Sequence, residues 1–334
     1  MKKRIVINGL GRIGANVLRA YFENVGKYSD LEIVAVNAPS GTKVHGYLLK
    51  YDSVHGKFPG KIEVKENSFV VNDKEIKVLT ERDITKLPWG DLNIDIVMEC
   101  TGKFRTAEDM QKHLDNGAKK VMLSAPAKGN NVKTFVLGVN DKGLRSSDTM
   151  ISIGSCTTNC LAPVAKILND EIGIENGHMT TIHSYTGDQR IVDGSHKDAR
   201  RGRACAVSMV PTSTGAAKAL ELVIPELLGR VDGGALRVPT PNVSIVDLTF
   251  CPKKETTESE INSLMIKAAN GKLKGILEVN SEELVSVDFM HNPHSSIFDL
   301  TQTKVIGKNL VRIASWYDNE WGFSNRMLDM AKIW

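Results

Sequence analysis

Apolar residues in the first half of the chain gather in short, almost unbroken runs: "KRIVING", "LEIVAVN", "NIDIVMEC", "KKVMLSAP", "TFVLGV" and "TMISIG". A half-exposed strand would alternate apolar with polar positions. Unbroken Val/Ile runs separated by helical segments instead suit strands covered on both faces, hence a parallel sheet between helices. In the second half the apolar positions alternate over longer stretches, "HMTTIHSYT", "NVSIVDLTF", "ELVSVDF" and "NLVRIASWYD". That pattern predicts an α+β domain whose mostly antiparallel sheet carries helices on one side. The change falls near Ser155. The expected division is therefore residues 1–155 as one domain and 156–319 as the other, with a C-terminal helix over 320–334 folding back onto the first.

Composition narrows the picture. The chain has 334 residues, 41% of them hydrophobic and 25% charged, which is the balance of a globular protein with room for two cores. No run approaches the roughly 18 apolar residues of a membrane span, and the basic start passes within a few residues into a Gly-rich turn. A cytoplasmic protein without a signal peptide is the expectation. The five cysteines are scattered without CxxC pairs, so neither a disulfide framework nor a metal site is predicted. The net charge of +4 is not gathered into basic blocks with interleaved aromatics, which speaks against nucleic acid as the main ligand.

The segment "INGLGRIG" places Gly9, Gly11 and Gly14 in G-x-G-x-x-G spacing, directly after a strand and before the helical run "ANVLRAYFENVG". Glycines there allow a tight turn and let the backbone approach a pyrophosphate at the helix N-terminus. The first domain is thus expected to be a Rossmann dinucleotide-binding domain. An acid that would bond the adenosine ribose is missing from the end of the second strand, where Asn37 and Ala38 are followed by Pro39, Ser40, Gly41, Thr42 and Lys43. A carboxylate would repel a ribose 2′-phosphate, whereas small hydroxyl side chains and a lysine tolerate one. By itself this stretch leaves NAD and NADP equally open.

The second chemical feature is "SCTTNC". A helix starting at Thr157 or Thr158 would aim its open N–H groups and positive dipole end at Cys156 and favour the thiolate. Cys160, one turn on, reads as a small buried hydrophobe. A sulfur nucleophile needs a base, and His183 opens an unusually polar run that includes Thr186, Asp188 and Arg190. Arg200, Arg201 and Arg203 follow closely, a grouping suited to phosphate oxygens, to a solvated loop or to a subunit contact.

Six segments in this order, "INGLGRIG", "SCTTNC", "IHSYTGDQR", "PTSTGAAKA", "RVPTPNVS" and "SWYDNEWGFS", make the whole chain resemble the phosphorylating glyceraldehyde-3-phosphate dehydrogenases. The resemblance implies a homotetramer in which Cys156 attacks the aldehyde of a triose phosphate and His183 takes the proton. Hydride leaves for the nicotinamide, and inorganic phosphate releases the thioester as an acyl phosphate. It also implies a set of binding residues. Thr186, Asp188 and Arg237 would meet the substrate's phosphate, and Ser155, Thr157, Thr214, Gly215 and Arg201 the attacking phosphate. The cofactor would meet Arg12, Ile13, Arg82, Thr101, Ser124 and Asn319, the last of which holds the nicotinamide carboxamide in this family.

Two positions depart from the pattern of members that use NAD alone. Asn37-Ala38 stands for their "ND", and Gly194-Ser195 stands for a Leu-Pro pair in a loop that reaches a neighbouring subunit. Both changes point toward NADP acceptance beside NAD, with Ser195 at the 2′-phosphate. Two other functions fit parts of the same pattern. Erythrose-4-phosphate dehydrogenase shares the thiol and the histidine, and a silent dinucleotide-binding regulator would need only the first domain.

Overall fold

A computed structural model describes residues 2–334. These fall into two compact units. The first takes the chain up to Phe135 together with Gly143–Gly154 and Ser324–Trp334, and the second takes Val136–Lys142 and Ser155–Phe323.

In the first unit the chain runs β1 (Lys3–Asn8), α1 (Arg12–Glu23), β2 (Leu31–Asn37), α2 (Thr42–Lys50), β3 (Tyr51–Asp52) and β4 (Gly56–Lys57). It continues through β5 (Ile62–Val64), β6 (Ser68–Val71), β7 (Lys74–Leu79), β8 (Ile96–Glu99), α3 (Ala107–Asp115), β9 (Lys120–Leu123), β10 (Lys133–Thr134) and β11 (Met150–Ser152). Nine of these strands form one sheet in the order β10-β11-β9-β8-β1-β2-β7-β6-β5. Strands from β10 to β7 are parallel neighbours. The apolar runs of β1 and β8 are buried because both faces of the sheet are covered, as their lack of alternation requires. The chain leaves β1 toward β2 on one side and later returns to β8 on the other, so the order reverses at β1. Crevices at such a reversal, outside the carboxyl ends of the strands, are where open α/β sheets take ligands.

Two features of this sheet differ from expectation. The segment 62–79 adds a meander, with β6 and β5 antiparallel at the edge beyond β7. The run "TFVLGV" has only Thr134 in a strand, as the second residue of β10. Its later residues cluster with the second unit, where Val136 joins the core around the next helix.

The second unit contains α4 (Cys156–Glu171), β12 (Ile174–Ser184), β13 (Val210–Ser213), α5 (Ala216–Val223), β14 (Val231–Val238), β15 (Ser244–Pro252) and α6 (Glu258–Asn270). It ends with β16 (Leu277–Asn280), β17 (Ser296–Asp299), β18 (Lys304–Ile306) and β19 (Leu310–Tyr317). The sheet order is β13-β14-β12-β15-β19-β17-β16, with β18 against β19. Antiparallel pairs dominate, and β12/β14 and β16/β17 are the parallel ones. In β15 every second residue is buried, the period-two signature of a strand with one face on the core. That core joins Leu161, Ala165 and Leu168 of α4, Leu220 of α5 and Ile261 of α6 to Met179, Leu248 and Ile313 of the sheet. Cys160 lies in it with no exposed surface, as a small apolar side chain would. The last helix, α7 (Trp321–Ile333), starts where Asp318 accepts the N–H groups of Glu320 and Trp321, and from Ser324 onward it belongs to the first unit. No helix among the described residues is long and apolar enough to cross a membrane.

Candidate active site

The helix α4 begins at Cys156, one residue before the expected start, because Ser155 takes the N-cap. Ser155 Oγ accepts the Thr158 N–H at 3.1 Å and also pairs with Thr158 Oγ1 at 2.8 Å. Cys156 is therefore the first helical residue, and its own N–H is one of the unpaired donors of the first turn. His183, near the end of β12, brings Nε2 to 3.5 Å from Cys156 Sγ. Its Nδ1 lies 2.7 Å from the Ser184 carbonyl oxygen. A carbonyl only accepts, so Nδ1 carries the hydrogen and Nε2 presents its lone pair to the thiol.

The electrostatics correct one expectation. Burial pushes the Cys156 thiol up, and the opposing influences of Arg237 and of the Thr157 and Cys156 N–H groups do not overcome it. Burial, followed by the Arg237 guanidinium, pulls His183 down to about 3. Both shifts favour the uncharged forms, thiol and imidazole. The helix end does act on the sulfur in the expected direction, but burial opposes it, and at His183 burial is joined by the neighbouring guanidinium.

Anion-binding groups surround the pair within the second unit. Arg237 Nη1 lies 3.1 Å from His183 Nδ1, 3.1 Å from Ser184 O and 3.4 Å from Thr186 Oγ1. Its Nε is buried with no hydrogen-bond partner, an orphan donor that an incoming anion would satisfy. Arg201 bonds Asp188 at 2.6 Å, Thr212 Oγ1 at 3.0 Å and the Ser213 carbonyl at 3.2 Å. Those bonds tie the arginine loop to the segment that leads to Thr214 and Gly215. Thr214 Oγ1 accepts the Ala216 N–H at 3.2 Å, and Gly215 opens α5 without a side-chain cap. Thr157 Oγ1 and Thr181 Oγ1 both meet the buried Tyr317 hydroxyl, at 2.9 and 2.8 Å, and the Tyr317 ring stands edge-on to His183. Asn319 is buried, with Oδ1 accepting from Ser244 at 2.8 Å. Ser195 is exposed, and its carbonyl takes the Arg190 Nε–H at 3.1 Å.

In the first unit the glycine turn fits a dinucleotide by a test its own atoms supply. A Cβ on Gly9, at φ +95°, would stand 2.8 Å from Thr101. One on Gly14 would stand 2.1 Å from the Gly9 carbonyl oxygen, so these two glycines serve close packing inside the turn. Gly11 meets nothing within 4 Å. Its missing side chain leaves open space beside the start of α1, which also lacks a side-chain cap. An uncapped helix start with room for a group to approach is what a pyrophosphate requires.

Other residues expected at the cofactor divide into two groups. Thr101 and Ser124 follow β8 and β9, and Thr101 donates both its N–H and its hydroxyl to Glu99 Oε1. Ile13 is the second residue of α1, just past the turn, and Arg82 is exposed beyond β7. The side chains of Arg12 and Asn37 are instead committed within the chain. Arg12 makes a two-pronged pair with Asp52 at 2.5 and 3.1 Å. Burial alone would raise the Asp52 carboxyl, but Arg12 and the N–H groups of His55 and Val54 outweigh it and hold it well below the usual range. Asn37 donates both hydrogens of its amide, to Asn8 and to the Glu81 carbonyl, and accepts the Glu81 N–H. Ala38 has no exposed surface.

Several site residues gave no signal in the sequence. Glu99 is buried beneath the turn, where it accepts from Asn8, Thr101 and His113, whose Nδ1 in turn accepts from Trp89 at 2.9 Å. Tyr317 lay inside a recognised segment without an assigned role. Ser244, at the head of β15, shows only as one more polar position of an alternating strand.

Comparison with known proteins agrees with this geometry. The family model "Glyceraldehyde 3-phosphate dehydrogenase, NAD binding domain" matches residues 3–107, and "Glyceraldehyde 3-phosphate dehydrogenase, C-terminal domain" matches residues 155–319. The plasmid-borne glyceraldehyde-3-phosphate dehydrogenase of Cupriavidus necator is 55% identical over 331 residues, covering 99% of this chain and 98% of that protein. The Xanthobacter flavus enzyme of the same name is 53% identical with the same coverage, and that of Geobacillus stearothermophilus is 52% identical over 332 residues, again 99% and 98%. With both halves matched and identity above one half over nearly the full length, the chain belongs to the glyceraldehyde 3-phosphate dehydrogenase family.

Proposed function

We propose that this chain oxidises glyceraldehyde 3-phosphate with a nicotinamide dinucleotide and inorganic phosphate to give 1,3-bisphosphoglycerate. The observation that carries the reading is the Cys156–His183 pair at 3.5 Å beside Arg237, whose buried Nε lacks a partner. As Sγ bonds the aldehyde carbon, its proton passes to His183 Nε2, and the Nδ1–H bond to Ser184 O holds the ring in place. The carbonyl oxygen of the substrate, steadied by the Cys156 N–H, takes that proton back from His183 and becomes the hemithioacetal hydroxyl, which leaves the imidazole neutral again. Loss of hydride from that carbon, with the hydroxyl proton taken by His183, leaves a thioester. The bound dinucleotide supplies the two-electron acceptor. An oxygen of inorganic phosphate then attacks the acyl carbon, and the carbon–sulfur bond breaks.

In this reading Arg237 and Thr186 bind the phosphate of the substrate, Asp188 orients Arg201 by accepting its guanidinium at 2.6 Å, and Arg201, Ser155, Thr157, Thr214 and Gly215 bind the attacking phosphate. A phosphate on Arg237 offsets the guanidinium that depresses His183, so substrate binding raises the basicity of the imidazole. Gly11, Arg12 and Ile13 meet the pyrophosphate through their backbone, Thr101, Ser124 and Arg82 meet the remainder of the cofactor, and Asn319 meets the carboxamide. NADP is accepted beside NAD, because no acid stands at Ala38 and the hydroxyl of Ser40 and the ammonium of Lys43 are exposed in the adjoining turn. The enzyme works in the cytoplasm as a homotetramer, a reading supported by Ile191, Val192, Val207 and Met209, apolar side chains each more than 70% exposed along the arginine loop.

The test is NAD(P)H formation from glyceraldehyde 3-phosphate and from erythrose 4-phosphate, each with and without inorganic phosphate. Strong phosphate dependence and preference for the triose are expected, with turnover abolished in Cys156→Ser. Turnover that ignores phosphate, or full activity in that variant, would refute the proposal.

A further inference from the structure

The geometry points to Ser244 as a positioning residue for hydride transfer: its hydroxyl decides which end of the Asn319 amide is offered to the nicotinamide carboxamide. This deepens the proposed function and rests on Asn319 being the partner of that carboxamide.

The argument starts from a directional chain of bonds. Ser184 N–H is only a donor, and it reaches Ser244 Oγ at 3.1 Å, so the serine oxygen accepts there. The Ser244 hydroxyl carries a single hydrogen, and it points to Asn319 Oδ1 at 2.8 Å. Ser244 is buried, and a flipped Asn319 amide would leave that hydrogen without an acceptor, at the cost of a buried unmade hydrogen bond. The asparagine oxygen is therefore consumed. Its Nδ2 has no partner among the described residues and is not sealed from solvent. What Asn319 offers is thus a donor, which suits the carbonyl oxygen of a carboxamide and not its amino group.

A second observation shows how Ser244 is aimed. Val243, just before it, is held at φ +69°, a strained conformation for a β-branched residue. The Val243 carbonyl accepts the Ser184 hydroxyl at 2.6 Å, which secures that turn. Ser184 also takes the His183 Nδ1–H on its carbonyl. One residue thus sets the tautomer of the base through its C=O and the orientation of Asn319 through its N–H and Ser244. Proton acceptance and presentation of the ring face are mechanically joined at Ser184.

The experiment compares Ser244→Ala, Ser244→Thr and Asn319→Ala in the full-length enzyme. Deuterated at the aldehyde carbon, glyceraldehyde 3-phosphate reports the ring face that receives hydride, and the KM for the dinucleotide is measured alongside. Ser244→Ala is expected to place part of the deuterium on the opposite face and to raise that KM about fivefold, the size of one lost neutral hydrogen bond. The alkylation rate of Cys156 stays as in the parent, and Ser244→Thr restores a single face. Should Ser244→Ala unfold early, Ser244→Cys retains a weak donor and falls between parent and alanine. Single-face transfer at parental KM in Ser244→Ala, with Asn319→Ala impaired, overturns the role of Ser244. An unimpaired Asn319→Ala overturns the reading of Asn319 itself.

Discussion

Gly11 and Gly14 stand three residues apart in one motif, yet the structure gives them different duties and so different fates when a methyl group is added. At Gly14 the new Cβ would lie 2.1 Å from the Gly9 carbonyl oxygen and 3.0 Å from Ile7 Cγ2. An unstrained carbon–oxygen contact is about 3.3 Å, so α1 and the turn must separate by more than an ångström. Both partners are backbone or core, and the cost is about 3 kcal/mol or more. For a unit of this size each kcal/mol lowers the melting temperature by roughly 2–4 °C, so Gly14→Ala should melt about 6–12 °C early. Gly11 has φ −79° and ψ −161°, which any residue adopts, and nothing lies within 4 Å of its missing Cβ. Gly11→Ala should fold as well as the parent, or be stabler by under about 1 kcal/mol. On the proposed reading the methyl nevertheless takes space that a pyrophosphate would occupy, and affinity should fall tenfold to a hundredfold, about 1.4–2.8 kcal/mol. Thermal unfolding and fluorescence titration with NAD separate the two effects. If Gly11→Ala bound NAD as tightly as the parent, or Gly14→Ala melted with it, the division of labour would be wrong.

Other expectations follow from the electrostatics. Because burial raises the Cys156 thiol and depresses His183, alkylation of the free enzyme by a neutral reagent should accelerate from neutral into alkaline pH; a plateau already reached in acid would show a preformed ion pair instead. His183→Asn should cost a factor of about 10²–10⁴ in turnover. The same histidine links stability to acid: unfolded it titrates at 6.5 and folded at about 3, so the unfolded chain binds more protons between these values and stability falls as pH drops below 6.5. His183→Asn should flatten that decline in calorimetric melts, and an unchanged slope would place the effect elsewhere. Ala38→Asp should move the ratio of kcat/KM values toward NAD by repelling a 2′-phosphate. The ratio is the readout, since a carboxylate at a position with no exposed surface also lowers stability; an unchanged ratio would remove Ala38 from cofactor choice.

The sequence by itself determined a good deal here, because some physical requirements are local. Unbroken and alternating apolar runs reported two-sided and one-sided burial and hence the two kinds of sheet, and glycine spacing reported a turn whose packing demands glycine at positions 9 and 14. Thiol and histidine were legible because "SCTTNC" and "IHSYTGDQR" each carry their chemistry in one short segment, whereas Arg237, the arginine beside His183, comes from a third segment 54 residues further on. Tertiary structure decided what depends on surroundings. It set the direction in which Cys156 and His183 are shifted, because desolvation is a property of the packed site and opposes a helix end that the sequence does reveal. It engaged the side chains of Arg12 and Asn37 within the chain, since their partners Asp52 and Glu81 lie tens of residues further along the sequence. It also brought Ser184, Ser244 and Asn319 together from three strand ends up to 135 residues apart. No local pattern marks such a chain of bonds, because its members meet only after the sheet has set their register.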